Sequence, residues 1–393
     1  MSETMLIIEA REPLAFPESK PGTQFRKSLP FVPGAVLFGA IGQTLAHTGQ
    51  FNPDLLRRLR CRNAYPMREG DAWVRPLPAT AFHPKGDDQH MRDSLVQRVC
   101  WERQRPSALL YAPVDADGRP WESVGQQFYT IRDGKLEKRT VTQRIHTRVA
   151  INRRRGTAED SLLYSFFAIN ETIPNTTTPT RFIGSLALVD SGDPETWERV
   201  KALLRERVRR LGARQTTGIG GVTLDLAPPV QDRKVRERVE ALTERFKRQI
   251  ARYRRLGGSS WEPGDRQVLT VNLISDAILL RDGWLPTHEL SADMLRDMTG
   301  IETTLLRSFT TTRIVGGWQA LWQRPKTTNV AVRYGSLYVF ETTHALTDDH
   351  YAALERLERD GIGERRAEGF GQIRICDDFH LIDWEGKHGS TEQ

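Results

Sequence analysis

The stretch "GIGERRAEGFGQIRIC", residues 361–376, decides the fold. Glycines stand at 361, 363, 369 and 371, two arginines sit between them, and a strand-like alternation follows. Just upstream, "HYAALERLERD" (350–360) has helical spacing, so the glycines follow a helix and open a strand. Dinucleotide folds and P-loops use the opposite polarity: their glycines follow a strand and open a helix whose N-terminus takes the phosphate. The polarity of 361–376 excludes both.

The motif occurs twice. A shift of 151 residues lays Gly212, Arg214, Gly218 and Gly220 on Gly363, Arg365, Gly369 and Gly371. Val222 and Leu224 then fall on Ile373 and Ile375, and Val200 and Leu203 fall on Tyr351 and Leu354. Both copies read G-x-R-x-x-x-G-x-G before a strand, which marks an internal repeat.

The rest of the chain fits a repeat of strand, helix, two strands, helix, glycine loop and strand, the βαββαβ order of a ferredoxin-like unit. In the first half, strands are expected at 5–10, 148–152, 162–169 and 182–189, with helices at 36–45 and 194–211. Residues 49–139 are rich in Pro, Gly and Asp, have weak periodicity, and read as an insertion. The second half repeats the order with strands at 267–275, 309–315 and 329–342 and helical turns near 288–298. Between them, 231–256 reads as a basic connecting helix with Val235, Val239, Leu242, Phe246 and Ile250 as its apolar stripe. Its arginines read as a solvated face. The expected fold is α+β: a unit over 1–228, a connector over 229–258 and a unit over 259–393.

Composition narrows the class. The chain has 393 residues, 38% hydrophobic and 27% charged, with no apolar run near the roughly 20 residues that span a bilayer. The start "MSETMLIIEAREP" reads as a strand rather than a targeting segment. Three scattered cysteines make no disulfide framework and point to a reducing cytoplasm. Net charge is +7 with arginine far above lysine, a bias toward nucleic acid.

Candidate residues follow from these patterns. The glycines allow either a tight helix-to-strand turn or close approach of another backbone, and both readings stand. Arg214, Gly218, Gly220 and Gly221 in the first copy, and Arg365, Arg366, Gly369 and Gly371 in the second, are candidates for RNA contact. In "HTRVAINRRRG", His146 and Arg148 lie along a strand, and Arg153, Arg154 and Arg155 form a hairpin tip offered to phosphates. His146 could also act as a general base, but no second histidine or tyrosine pairs with it in a recognisable arrangement. Trp318 and Trp322 follow Gly316-Gly317; Trp318 is either a base-stacking platform or a core residue. The spacing of Cys61, His83, His90 and Cys100 fits no zinc knuckle, so neither metal nor cofactor is expected.

With these motifs in view, the chain resembles the RAMP superfamily of CRISPR proteins. The likeness rests on "FVPGAVLFGAI", "HTRVAINRRRGTAEDSLLYSFFAI" and "GIGERRAEGFGQIRI", and covers most of the chain outside 49–139. Two tandem domains and "RIVGGWQALWQRPKTTNVAVRYGSLYVF" look most like the subunit that caps the five-prime tag of CRISPR RNA in type III effector complexes, as in subtype III-D. The resemblance implies a non-catalytic RNA-binding subunit touching the large polymerase-like subunit and the backbone subunits. The superfamily also holds metal-independent endoribonucleases that process precursor CRISPR RNA, which is the alternative. The chain departs from the family pattern at Ala35, where serine is common, so no RNA contact is extended to the first helix.

Overall fold

A computed structural model of the chain describes residues 2–18, 27–87, 90–104, 111–152, 154, 157–189, 194–230, 232–255, 261–319 and 323–384. The fold is α+β, with antiparallel sheets. In the first half, strand Ser2–Ala10 lies between Arg181–Leu188 (Ile7 opposite Ile183) and Val222–Ala227 (Ile8 opposite Leu224). Its alternating residues Leu6, Ile8 and Ala10 are buried. They share one core with Leu37, Ile41 and Leu45 of helix Gly34–His47 and with Trp197, Val200 and Leu204 of helix Pro194–Arg207.

In the second half, Val268–Leu273 lies between Leu337–Thr342 and Ile373–Ile375, and Thr303–Phe309 pairs with the outer side of Leu337–Thr342. Helices Ala292–Thr299 and Asp348–Asp360 contribute Leu295, Tyr351, Leu354 and Leu357 to its core. The second sheet has four strands, which run fourth, first, third, second across it; the first has five, and shows the same order when Leu59–Cys61 and Tyr65–Met67, both paired with Arg181–Leu188, are taken together as the second.

One sheet position differs from the sequence reading. Residues 143–169 do not join the first sheet; Gln143–Asn152 and Thr157–Ile169 pair with each other as a long antiparallel ribbon, which is tied at its base by a bridge between Ile169 and Leu14. The edge beside Arg181–Leu188 is filled by Leu59–Cys61 and Tyr65–Met67, from the segment read as an insertion. These three-residue strands are too short to show a period, and Pro66 is tolerated because the strand lies at an edge. The remainder of that segment forms helices Pro53–Arg58 and Leu95–Gln104 and two three-stranded sheets. Leu95, Val99 and Cys100 of the longer helix enter the second core.

Helix Val235–Arg255 buries the expected stripe, and does so in the second core. The solvated-face reading fails for Arg238. It is 1% exposed, paired with Glu358 at 2.7 Å and bonded to the Ile375 carbonyl. An arginine one turn from Val235 cannot turn away from so wide a packed face, and a buried guanidinium requires a carboxylate.

Candidate nucleic-acid interface

The two glycine loops have the same backbone. Arg214 and Arg365 both adopt left-handed conformations (φ 62° and 56°), each opens a short 3-10 turn, and Gly218 and Gly369 close those turns at φ 76° and 89°. Leu211 N donates to Gly220 O, and Ile362 N donates to Gly371 O, both at 2.8 Å. Each loop is tied to the chain following its first strand: Gly220 N to Pro13 O at 2.8 Å, and Gly371 N to Asp276 O at 2.7 Å. A Cβ on Gly220 would sit 2.5 Å from the Leu211 carbonyl, and one on Gly371 would overlap that of Ile362. The tight-turn reading therefore accounts for Gly220 and Gly371. A left-handed arginine costs conformational energy. In both loops its guanidinium stacks on phenylalanine, Arg214 on Phe166 at 4.2 Å and Arg365 on Phe370 at 4.7 Å.

Their surroundings differ. The second loop is covered by the first half. A Cβ on Gly369 would overlap the Cys61 carbonyl and come within 3.0 Å of the Gly34 Cα. Arg60 and Arg62, on and beside the edge strand, donate to the Asp360 and Arg359 carbonyls at 3.3 and 3.0 Å, capping the helix before the loop. Glu368 holds Arg365 at 2.8 Å and Lys326 at 2.6 Å. Burial would raise the Glu368 carboxyl, but these two cations keep it below the usual range. Gly369 and Gly371 are buried, Arg365 is engaged, and Arg366 alone of these candidates is exposed. An edge strand from 300 residues away thus closes the second loop.

The first loop is open. Residues 214–218 are exposed, and a Cβ on Gly218 meets nothing within 4 Å. Gly220 and Gly221 are buried beneath it. Glu12 supports the loop from below, accepting from Gly221 N at 3.1 Å and clasping Arg210 at 2.7 and 2.8 Å.

The ribbon's cationic face lies against this loop. His146 is opposite Phe166 and Arg148 opposite Tyr164, so all four share one face. Arg148 donates to Thr217 O at 3.3 Å, and Arg214 also covers Tyr164 at 4.7 Å. His146 stacks on Phe166 with ring centroids 5.4 Å apart and accepts from Arg144 Nε at 3.1 Å. Burial, then Arg144 and Arg148, pushes its pKa below the ordinary histidine value. His146 is thus neutral at pH 7. Arg154 is exposed at the ribbon tip; Arg153 and Arg155 lie outside the described residues.

The fold brings together His146, Arg148, Arg214 and Gly218. Sequence reasoning missed Arg144, Tyr164 and Phe166, although the alternation of aromatics in "LLYSFFAI" could have placed 164 and 166 on one face. Trp318 lies apart, in a small ribbon with Pro325 opposite, and is 61% exposed, which rules out the core reading. Gly317 before it lies beside Lys326 and beside Arg365 of the covered loop. Arg313 is held by Asp276 at 3.2 Å, and Trp322 lies outside the described residues.

Charge separates the halves. Residues 1–258 carry 43 Lys and Arg against 29 Asp and Glu, while 259–393 carry 14 against 21. The positive excess sits with the open loop. Cys61 and Cys100 are buried in different cores, and among the described residues no group of three or more His, Cys, Asp or Glu could hold a metal. Also among the described residues, no helix is long and apolar enough to cross a membrane.

Residues 237–377 match the family model described as CRISPR-associated protein (Cas_Cmr3). No curated protein matches the chain. Among solved structures, the chain is similar to one from a type III-B Cmr-beta structure bound to cognate target RNA and AMPPnP. Identity there is 12%, coverage is 92% of this chain and 91% of that one, and the TM-score is 0.42. A second Cmr-beta chain, bound to cognate target RNA, gives 12% identity, 94% and 96% coverage and TM-score 0.42. A chain of a type IV-B CRISPR complex gives 13% identity, 59% and 93% coverage and TM-score 0.28.

Proposed function

We propose that this protein is a non-catalytic, RNA-binding subunit of a type III CRISPR effector ribonucleoprotein. In this reading it caps the five-prime tag of the CRISPR RNA and joins the large polymerase-like subunit to the backbone RAMP subunits in the cytoplasm, as the subtype III-D resemblance implies. The observation that carries it is the open loop at 212–221, flanked by Arg148 and Arg214 on the basic half of the chain. The match of 237–377 to a CRISPR-associated family supports the setting. The two sheets, with their common strand order, are read as tandem ferredoxin-like units divided near 228. Trp318, exposed beside the second loop, is read as an accessory stacking residue. Non-catalysis is supported by His146, whose ring is stacked and whose Nε2 accepts from Arg144.

Binding of single-stranded repeat RNA against salt concentration tests this reading. Changing Arg148 and Arg214 together to alanine should lower the slope of log affinity against log salt by about 1.4, from about 0.7 per lost phosphate contact. The pair Arg365→Ala and Arg366→Ala should lower it by no more than one contact, because Arg365 is spent on Glu368. An unchanged slope in the first pair removes the phosphate role. A single metal-independent cut in the RNA, lost in His146→Ala, would favour the endoribonuclease instead.

A further inference from the structure

We infer that Tyr164 and Phe166, with Arg214 laid over them, form a stacking subsite for one unpaired nucleobase. The inference rests on the RNA reading and deepens it. Tyr164 and Phe166 are two residues apart on one strand and project from the same face of the ribbon. Phe166 is enclosed: His146 stacks on it, Arg214 covers it, and it is 5% exposed. Tyr164, next on the same face, is 40% exposed and presents an aromatic surface with Arg214 at one side. Phe166 packs with Ala15, Ala168 and Ile219, whereas among the described residues Tyr164 belongs to no such cluster.

The surroundings select the ligand. Among the described residues, the charged groups facing this row are Arg144 and Arg148 from its partner strand and Arg214 from the loop. The nearby carboxylate, Glu171, is bonded to Arg144 at 3.0 Å. A π-face between guanidinium groups suits a neutral planar ring whose flanking groups are anionic, and an RNA nucleotide has that form. Gly218 leaves space beside the row, where its missing Cβ would meet nothing within 4 Å. A strand passing over the loop can therefore set a base on Tyr164 while its phosphates reach Arg148 and Arg214. Stacking makes no use of a base's hydrogen-bonding edge, so the subsite accepts all four bases.

The test compares a short single-stranded RNA with the same RNA carrying an abasic site at successive positions. For the wild-type protein, one abasic position should weaken binding about fivefold or more. Tyr164→Ala should weaken binding of the intact RNA by a similar factor and lose the penalty at that position. Its salt slope should stay unchanged, since stacking releases no counterions. Tyr164→Phe should retain most of the affinity, because it keeps the ring. If Tyr164→Ala binds like wild type while Arg148→Ala with Arg214→Ala binds weakly, the subsite is wrong and the RNA reading survives. If the wild type binds no single-stranded RNA, both are overturned.

Discussion

Gly369→Ala is expected to break the joint between the two halves and destabilise the protein by roughly 3 kcal/mol or more, while leaving the RNA contacts of the first loop in place. The new methyl group would overlap the Cys61 carbonyl and press on the Gly34 Cα, both backbone atoms with no side chain to swing aside. Residue 369 also sits at φ 89°, a region that L side chains adopt only at a cost of roughly 1–2 kcal/mol. Relief requires the loop to withdraw from helix Gly34–His47 and from the edge strand, and Arg60 and Arg62 would then lose the carbonyls they cap. Thermal unfolding should show a lower, broader or split transition. Gly218→Ala is the matched control, with φ 76° but open space around it, and should cost only about 1–2 kcal/mol. Equal melting of the two variants would show that the second loop is not clamped in solution.

Arg238→Met should be comparably severe, at roughly 3 kcal/mol, because it leaves the largely enclosed Glu358 carboxylate, 16% exposed, without its main partner. Glu358 accepts two bonds from Arg238, at 3.0 and 2.7 Å, and also one from Ile375 N at 3.0 Å. Without the guanidinium, only Arg374 at 3.4 Å remains to offset its charge. Adding Glu358→Gln to Arg238→Met should restore part of the loss, the coupling expected of two groups in direct contact. The same network sets the acid response. Burial would raise the Asp378 carboxyl, but Arg75 and Arg374 hold it down at about 2, and Glu358 is likewise held below its usual range. Both folded values lie below the unfolded ones, near 4. Their stabilisation is therefore present above about pH 4 and is lost as the pH falls through the folded values toward 2. Melting temperature measured across that window should fall less steeply for Asp378→Asn than for wild type. Parallel curves would mean that Asp378 is not held ionised by its arginines.

By itself the sequence determined the features that depend on neighbours along the chain. The helix-then-strand polarity of both glycine loops and the stripe of helix Val235–Arg255 were legible because turn geometry and periodicity are local. Tertiary structure decided everything that depends on distant partners. The loops share one motif and one backbone turn, yet one is open and the other is sealed by Cys61 and Gly34, about 300 residues away. The edge strand at 59–67 escaped notice because three residues carry no period. Arg238 looked like one more surface arginine until Glu358 was found beside it. The stacked row also needed the fold, since it draws on residues 146, 164–166 and 214, and only the ribbon's register and the left-handed turn at Arg214 bring those rings and guanidinium groups into contact.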